Sequence, residues 1–341
     1  MKKSLLQPPK EDSRILFLPG RSEFLSGFNS QKVIATAHQP YFFNPGVSLK
    51  FLFLDFLSCE NKKLLFVDTD KVKIIAKVPT GQNTVYPEGF IVSNEILFDF
   101  IQPKQEKILD FFTSLGERIR DASLAGREGI YNNFLRFKDI FLRKKPKYLK
   151  NTLAESFLEY YGIERDYCFV SDVVDSKEFL DFFKRIHKDD NSFREVFNTA
   201  LDDYKKEYRF RFKNFPFPKL EEGELPFWVV DSGKRERCFK KDVDLSKLEN
   251  IKIFPRALTL TIFLRLYFCD IFIHGIGGAN YEWVSNKVIE RFFGLRPPPY
   301  AVISGTYLLE GFDQRESPYF FYSPEDIRIS VDDFCRQNLF C

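Results

Sequence analysis

Apolar residues along this chain come in two textures: short unbroken runs, and longer stretches in which they recur at helical spacing. The run Lys32-Val33-Ile34-Ala35-Thr36-Ala37 predicts a buried strand, followed by a loop with Pro40, Asn44, Pro45 and Gly46. Over 47–57 the spacing becomes helical. A second short run over 63–67 predicts another buried strand, which ends on Asp68-Thr69-Asp70. Strand, loop, helix and strand in that order make a βαβ unit, whose strands lie parallel in one sheet.

The remaining texture extends this pattern. Residues 72–100 read as strands turning at Pro79-Thr80-Gly81-Gln82. Helical spacing over 104–115, 126–142 and 150–161 predicts a helical insertion spanning 103–160. A strand is expected over 167–172, helix over 177–213, and two strands joined by Ser232-Gly233 from residue 225 onward. A helix ending near Phe268 leads to a buried Ile271-Phe272-Ile273, which runs into His274-Gly275-Ile276-Gly277-Gly278. The next helix, about 280–293, should stop at Gly294 in a left-handed cap. Pro297-Pro298-Pro299 then precedes a last strand over 300–304. The expected organisation is an N-terminal arm over 1–30, a core over 31–310 interrupted by the insertion, and a tail over 311–341. The expected fold is α/β: a Rossmann-like, open, mainly parallel sheet with helices on both faces.

Charge narrows the partners. Fifty-one basic and 48 acidic groups leave a formal charge of +3, which argues against a nucleic-acid binder, since neutralising a phosphate backbone needs a basic surplus. The two basic runs, over 143–147 and 205–213, read as solvated faces or an edge strand. Six cysteines without a Cys-x-x-Cys pair argue against a zinc ribbon or a redox dithiol and fit reduced thiols. The first ten residues lack the apolar run of a signal peptide. The most apolar stretch, 258–273, is broken by Arg265 and Asp270 and is too short to span a bilayer. A cytoplasmic protein without membrane attachment is expected, acting on a small molecule.

Histidine is scarce, with three in the chain, yet His38 and His274 both stand where a buried strand gives way to a loop. Imidazole has the ordinary pKa best suited to proton transfer near neutrality. His38 with Gln39, and His274, are therefore the candidate catalytic residues. Gly275, Gly277 and Gly278 open a helix, and bare backbone N–H groups there suit an anion. The stretch is neither a P-loop nor a full dinucleotide fingerprint. Asp68 and Asp70 would point the same way if extended, so both could hold one ribose or one cation. Asn44 and Lys50 complete the candidate cofactor set. No metal site is expected from ligand spacing. Lys287 and Arg291, one helical turn apart, could meet a phosphate or carboxylate.

The two loops resemble a known family. Thr36-Ala37-His38-Gln39-Pro40-Tyr41-Phe42-Phe43, followed by Pro45-Gly46 and Lys50, is similar to the nucleotide-site loop of the bacillithiol cysteine-adding enzymes (BshC), which usually carry Gly-Gln-Gln at 37–39. Asn198, Leu201 and Tyr204 resemble that family's mid-chain helix. The segment from Arg256 to Tyr281 is similar to the stretch bearing its Gly-Gly-Pro-Gly-Glu loop, although the Pro falls on Ile276 and the acidic residue on Gly278. His38-Gln39-Pro40 with Lys50 and Asp68 also resembles the opening of the WbqC-like family. The resemblance implies a ligase or transferase that joins an amino-acid-like group to a small metabolite, using ATP, ADP or another nucleotide with Mg2+. A nucleotidyltransferase and an inactive nucleotide- or small-molecule-binding protein are the alternatives.

Overall fold

A computed structural model describes residues 14–19, 32–40, 45–79, 85–102, 104–122, 127–144, 148–207, 217–279 and 281–306, with 324, 325 and 328. The first βαβ unit forms as the pattern requires: β2 (Ile34–His38), α1 (Pro45–Phe56) and β3 (Lys62–Phe66). Pro45 opens α1, a position where its missing N–H costs nothing and its fixed φ suits the helix. Strands β2 and β3 pair in parallel from Ile34↔Lys62 to His38↔Phe66.

Three further parallel strands complete the sheet: β6 (Tyr167–Phe169), β10 (Ile271–His274) and β11 (Tyr300–Thr306). Their spatial order is β6-β3-β2-β10-β11. Numbered along the chain, the parallel strands therefore run 3-2-1-4-5, the order of a Rossmann-like doubly wound sheet. The order reverses between β2 and β10.

One edge differs from expectation. Within the N-terminal arm, residues 14–19 form a strand that was not expected, β1 (Arg14–Pro19), which pairs antiparallel with β11 from Arg14↔Thr306 to Pro19↔Ala301. Ile15, Leu16, Phe17 and Leu18 form a short apolar run whose partner strand lies near the other end of the chain.

The strands are buried on both faces, and alternation divides their side chains between two cores. Ile34, Leu64, Phe66, Ile271 and Ile273 join one core with α1. The insertion helices α2 (Gln105–Asp121), α3 (Arg127–Arg143) and α4 (Leu149–Tyr161) cover that face. The Phe51 ring stacks on Phe66 at 5.4 Å and meets Phe157 edge-on at 5.0 Å, tying α1, β3 and α4 together. Such aromatic pairs contribute roughly 0.5–1.5 kcal/mol each beyond their buried area.

Ala35, Leu65 and Phe272 face the opposite core. There the cover comes from α5 (Val170–Val173), α6 (Lys177–Lys188), α7 (Asp190–Glu207), α8 (Ala257–Phe263) and α10 (Glu282–Val288). Tyr167-Cys168-Phe169 is the whole of β6, and the expected strand over 170–172 is helical instead. The helix α10 passes through a wider π turn and ends at Gly294 with φ +67°, the left-handed cap that the sequence predicts. Residues 208–213 of the second basic run lie outside the described residues.

Two small antiparallel sheets flank the main one. The hairpin β4 (Lys71–Pro79) and β5 (Val85–Leu97) leads into the insertion. The other has β7 (Glu224–Asp231) between β8 (Lys234–Phe239) and β9 (Lys252–Pro255). Its turn sits at Ser232-Gly233, both with positive φ. No helix among the described residues is long and apolar enough to cross a membrane.

Candidate functional site

Where strand order reverses, the connections leave to opposite sides and open a crevice at the carboxyl ends of the strands. Here β2 and β10 are direct neighbours, with Ile273 opposite Thr36, and the Thr36 hydroxyl donates to the Ile273 carbonyl at 2.9 Å. His38 ends β2 and His274 ends β10, so topology brings both to one edge. A cleft of about 440 Å³ lies there, with His38, Gln39, Asp70 and His274 on the sheet side and Trp228 and Arg256 opposite. Asn198 on α7 shapes one end: its amide donates to the Leu220 carbonyl at 2.9 Å and accepts from the Leu220 N–H at 2.8 Å. That anchors the segment whose Phe217 packs edge-on against Tyr281 at 4.6 Å.

His274 is the most elaborately held residue of the cleft. Its Nε2 meets Glu282 Oε1 at 2.7 Å, and Thr261 donates its hydroxyl to the same oxygen at 2.5 Å. Arg265 donates to Glu282 Oε2, to Asn286 Oδ1 at 2.7 Å and to the Pro298 carbonyl. Glu282 is fully buried and Arg265 nearly so. Burial opposes the Glu282 charge, but Arg265 and His274 overcome it and hold the carboxyl down at about 2. His274 itself is lowered, first by burial and then by Lys50 and Arg265, with Glu282 pulling the other way. A Cβ on Gly278 would come within 2.6 Å of His274 Nδ1. The acidic side chain that the resemblance puts at 278 therefore has no room beside His274, and the buried acid stands four residues on, at Glu282.

The other histidine has a different neighbour. Burial, and then the charge of Lys50, push His38 down to about 3, and its Nδ1 lies 3.2 Å from the Gln39 carbonyl. Lys50 projects from α1 with 4% of its surface exposed, and its ammonium donates to the Ala37 carbonyl at 2.5 Å. It faces no carboxylate among the described residues. Burial alone pushes it down to about 7. Other cations at the cleft are balanced: Arg235 pairs with Asp70 at 2.7 Å, and Arg256 with Glu224 at 2.7 Å. Among the described residues Lys50 is left without a counter-charge; it stands behind the Ala37 carbonyl and is not itself part of the cleft wall.

The two aspartates part company. Asp70 lines the cleft and accepts from Gln39 Nε2 at 2.8 Å. Asp68 is fully buried and its oxygens are taken by Lys150 at 2.6 Å, the Ser171 hydroxyl at 2.5 Å and the Ser171 N–H at 3.0 Å. Strand β3 ends at Phe66, so 68–70 is a bend and the same-side rule for extended backbone does not reach it. Lys150 also reaches Asp99 at 2.5 Å, which joins the insertion to the sheet edge. Gly275 adjoins α1, where its Cβ would lie 3.9 Å from the Gly46 carbonyl. Gly277 and Gly278 fall inside α9 (Ile276–Ala279), a single turn, and are exposed. Lys287 and Arg291 pair with Glu290 at 3.0 Å and Asp203 at 3.3 Å, on the surface. Asn44 lies outside the described residues.

Glu282, Thr261, Trp228 and Arg235 escaped sequence reasoning. Glu282 looks like an ordinary first-turn acid favourable to the helix dipole, and nothing local reports that its carboxylate is buried. Trp228, whose ring lies under the guanidinium groups of Arg256 at 4.3 Å and Arg235 at 4.8 Å, reads as a strand aromatic. An alternating Arg235-Glu236-Arg237 after a turn was the available hint that one strand face carries charge toward a partner. Compared with family models and with curated proteins, the chain matches none.

Proposed function

We propose that the protein is a ligase or transferase that joins an amino-acid-like group to a small metabolite, binding ATP, ADP or another nucleotide, with Mg2+, at the switch point between β2 and β10. One observation carries this reading: Lys50 is a buried ammonium with no carboxylate partner among the described residues, donating to the Ala37 carbonyl next to His38, and its charge bears on both cleft histidines. A buried charge without a partner is costly, and an anionic ligand supplies what the fold withholds. A phosphate beside Lys50 would lie near the backbone of Gly275 as well. The resemblance of both loops to the cysteine-adding and WbqC-like families supports the reaction class.

Within this reading His38 is a proton-handling residue and Gln39 orients substrate through its contact with Asp70. With its pKa near 3, His38 is a neutral, weak base. A phosphate that offsets the Lys50 charge removes one of the two causes of that depression and brings His38 toward the useful range. A binding protein without turnover is the second reading, favoured by the missing acidic group at Gly278. Melting curves with ATP, CTP and ADP, with and without Mg2+, separate these outcomes. A nucleotide at a hundred times its Kd should stabilise by about 2.7 kcal/mol. Release of phosphate or pyrophosphate on adding amino acids marks the enzyme; stabilisation without release marks the binding protein. No stabilisation by any nucleotide at millimolar concentration sinks both.

A further inference from the structure

Glu282 lies behind the cleft rather than in it, yet its contacts determine what His274 offers to the cleft. We infer that Glu282 is a positioning residue: it fixes the neutral His274 ring with its proton on Nε2, so that the Nδ1 lone pair beside Gly278 becomes a proton acceptor of the site. The chemistry is forced by donors and acceptors. Glu282 Oε1 receives Nε2 at 2.7 Å and the Thr261 hydroxyl at 2.5 Å, while Oε2 receives Arg265. An ionised carboxylate has no proton to give, so the proton between Glu282 and His274 belongs to Nε2. Arg265 keeps Glu282 ionised and is itself held by Asn286 and the Pro298 carbonyl. The ring is wedged between Phe272 at 4.5 Å and Tyr300 at 5.9 Å, so it cannot turn over cheaply. Nδ1 has no hydrogen-bond partner among the described residues, and it lies so close to Gly278 that any side chain there, its Cβ 2.6 Å away, would cover it.

This assigns a step and rests on the ligase or transferase reading. As the acceptor's hydroxyl or amine forms its bond to a nucleotide-activated carbonyl carbon, its proton passes to Nδ1. The phosphate-bearing leaving group departs with the electron pair of the broken carbon–oxygen bond. The imidazolium that results is stabilised by Glu282, as a buried carboxylate does for a catalytic histidine. The charged and titratable groups bearing on the ring are Glu282, Lys50 and Arg265.

The test is a nitrogen-15 long-range correlation spectrum of the imidazoles, which is readable because the chain holds only three histidines. At neutral pH the free protein should show His274 with Nε2 in the protonated range and Nδ1 in the unprotonated range. Glu282→Gln should reverse this. Arg265 will keep the amide oxygen turned toward itself, the amide nitrogen will face Nε2, and the ring must then carry its proton on Nδ1. A wild-type spectrum with the proton on Nδ1, or with the two forms mixed, overturns the inference; so does an unchanged tautomer in Glu282→Gln. Should the variant not fold, the wild-type spectrum decides alone. The measurement uses no nucleotide, so a correct tautomer in a protein that binds none would defeat the ligase reading and the step built on it, and spare the positioning of His274 by Glu282.

Discussion

Lys50→Met should make the protein more stable and unable to bind the proposed nucleotide. The ammonium is 4% exposed and lacks a carboxylate among the described residues, and burial has brought its pKa from 10.5 down to about 7. At pH 7 that depression corresponds to a penalty on the order of 3–5 kcal/mol. Methionine has a similar volume and no charge, so the substitution should gain on the order of 2–4 kcal/mol after the lost hydrogen bond to Ala37 is allowed for. Denaturant melts measure this directly. The sign with pH is also determined. Between pH 7 and 10.5 the unfolded chain binds the proton that folded Lys50 has shed, so wild-type stability should rise with pH across that window. The penalty is complete below the folded value and gone above the unfolded one. Lys50→Met should flatten the rise. A variant less stable than wild type at pH 7 would mean that Lys50 is a structural hydrogen-bond donor and that its charge is already satisfied. Sites that work by holding a strained or unpaired group commonly show this opposition of stability and function.

Asp68→Ala should do the reverse, costing about 3–5 kcal/mol as expected when one partner of a buried ion pair is removed. The Ser171 N–H and hydroxyl lose their acceptor, and Lys150 keeps Asp99 as its only carboxylate among the described residues, with the Ser171 hydroxyl at 3.1 Å. Because Lys150 opens α4 and Asp68 follows β3, the loss falls on the joint between the insertion and the sheet. Thermal denaturation should show a fall in Tm, and the fraction that stays folded should bind nucleotide as wild type does. A variant of normal stability with weakened nucleotide binding would instead return Asp68 to the ligand.

What the sequence made legible follows the range over which its signals act. The βαβ unit, the strand before His274 and the left-handed stop at Gly294 are local features: apolar runs, helical spacing and a glycine at a helix end. Strand β1 was not legible as part of the sheet, because its partner Thr306 lies almost the whole chain away from Arg14. His38 and His274 stand out because each ends a buried run, and a parallel sheet carries such ends to one edge. The grouping of Asp68 with Asp70 depended on an extended backbone that stops at Phe66. Glu282, Thr261 and Arg265 belong to two helices that meet only in the fold, and burial turns their ordinary helix-surface types into one ion-pair cluster. Trp228 and Arg235 reach the cleft only because the β7–β9 sheet closes over it.

The most direct test of the switch-point site is a crystal structure of the full chain with ADP and Mg2+. A phosphoryl oxygen should lie within about 3 Å of Lys50 Nζ, the distance of a charge-assisted hydrogen bond, in the crevice between the ends of β2 and β10. A nucleotide bound anywhere else, such as the groove between α6 and β9 lined by Phe179, Lys184 and Ile251, with Lys50 still held only by Ala37, would contradict the account.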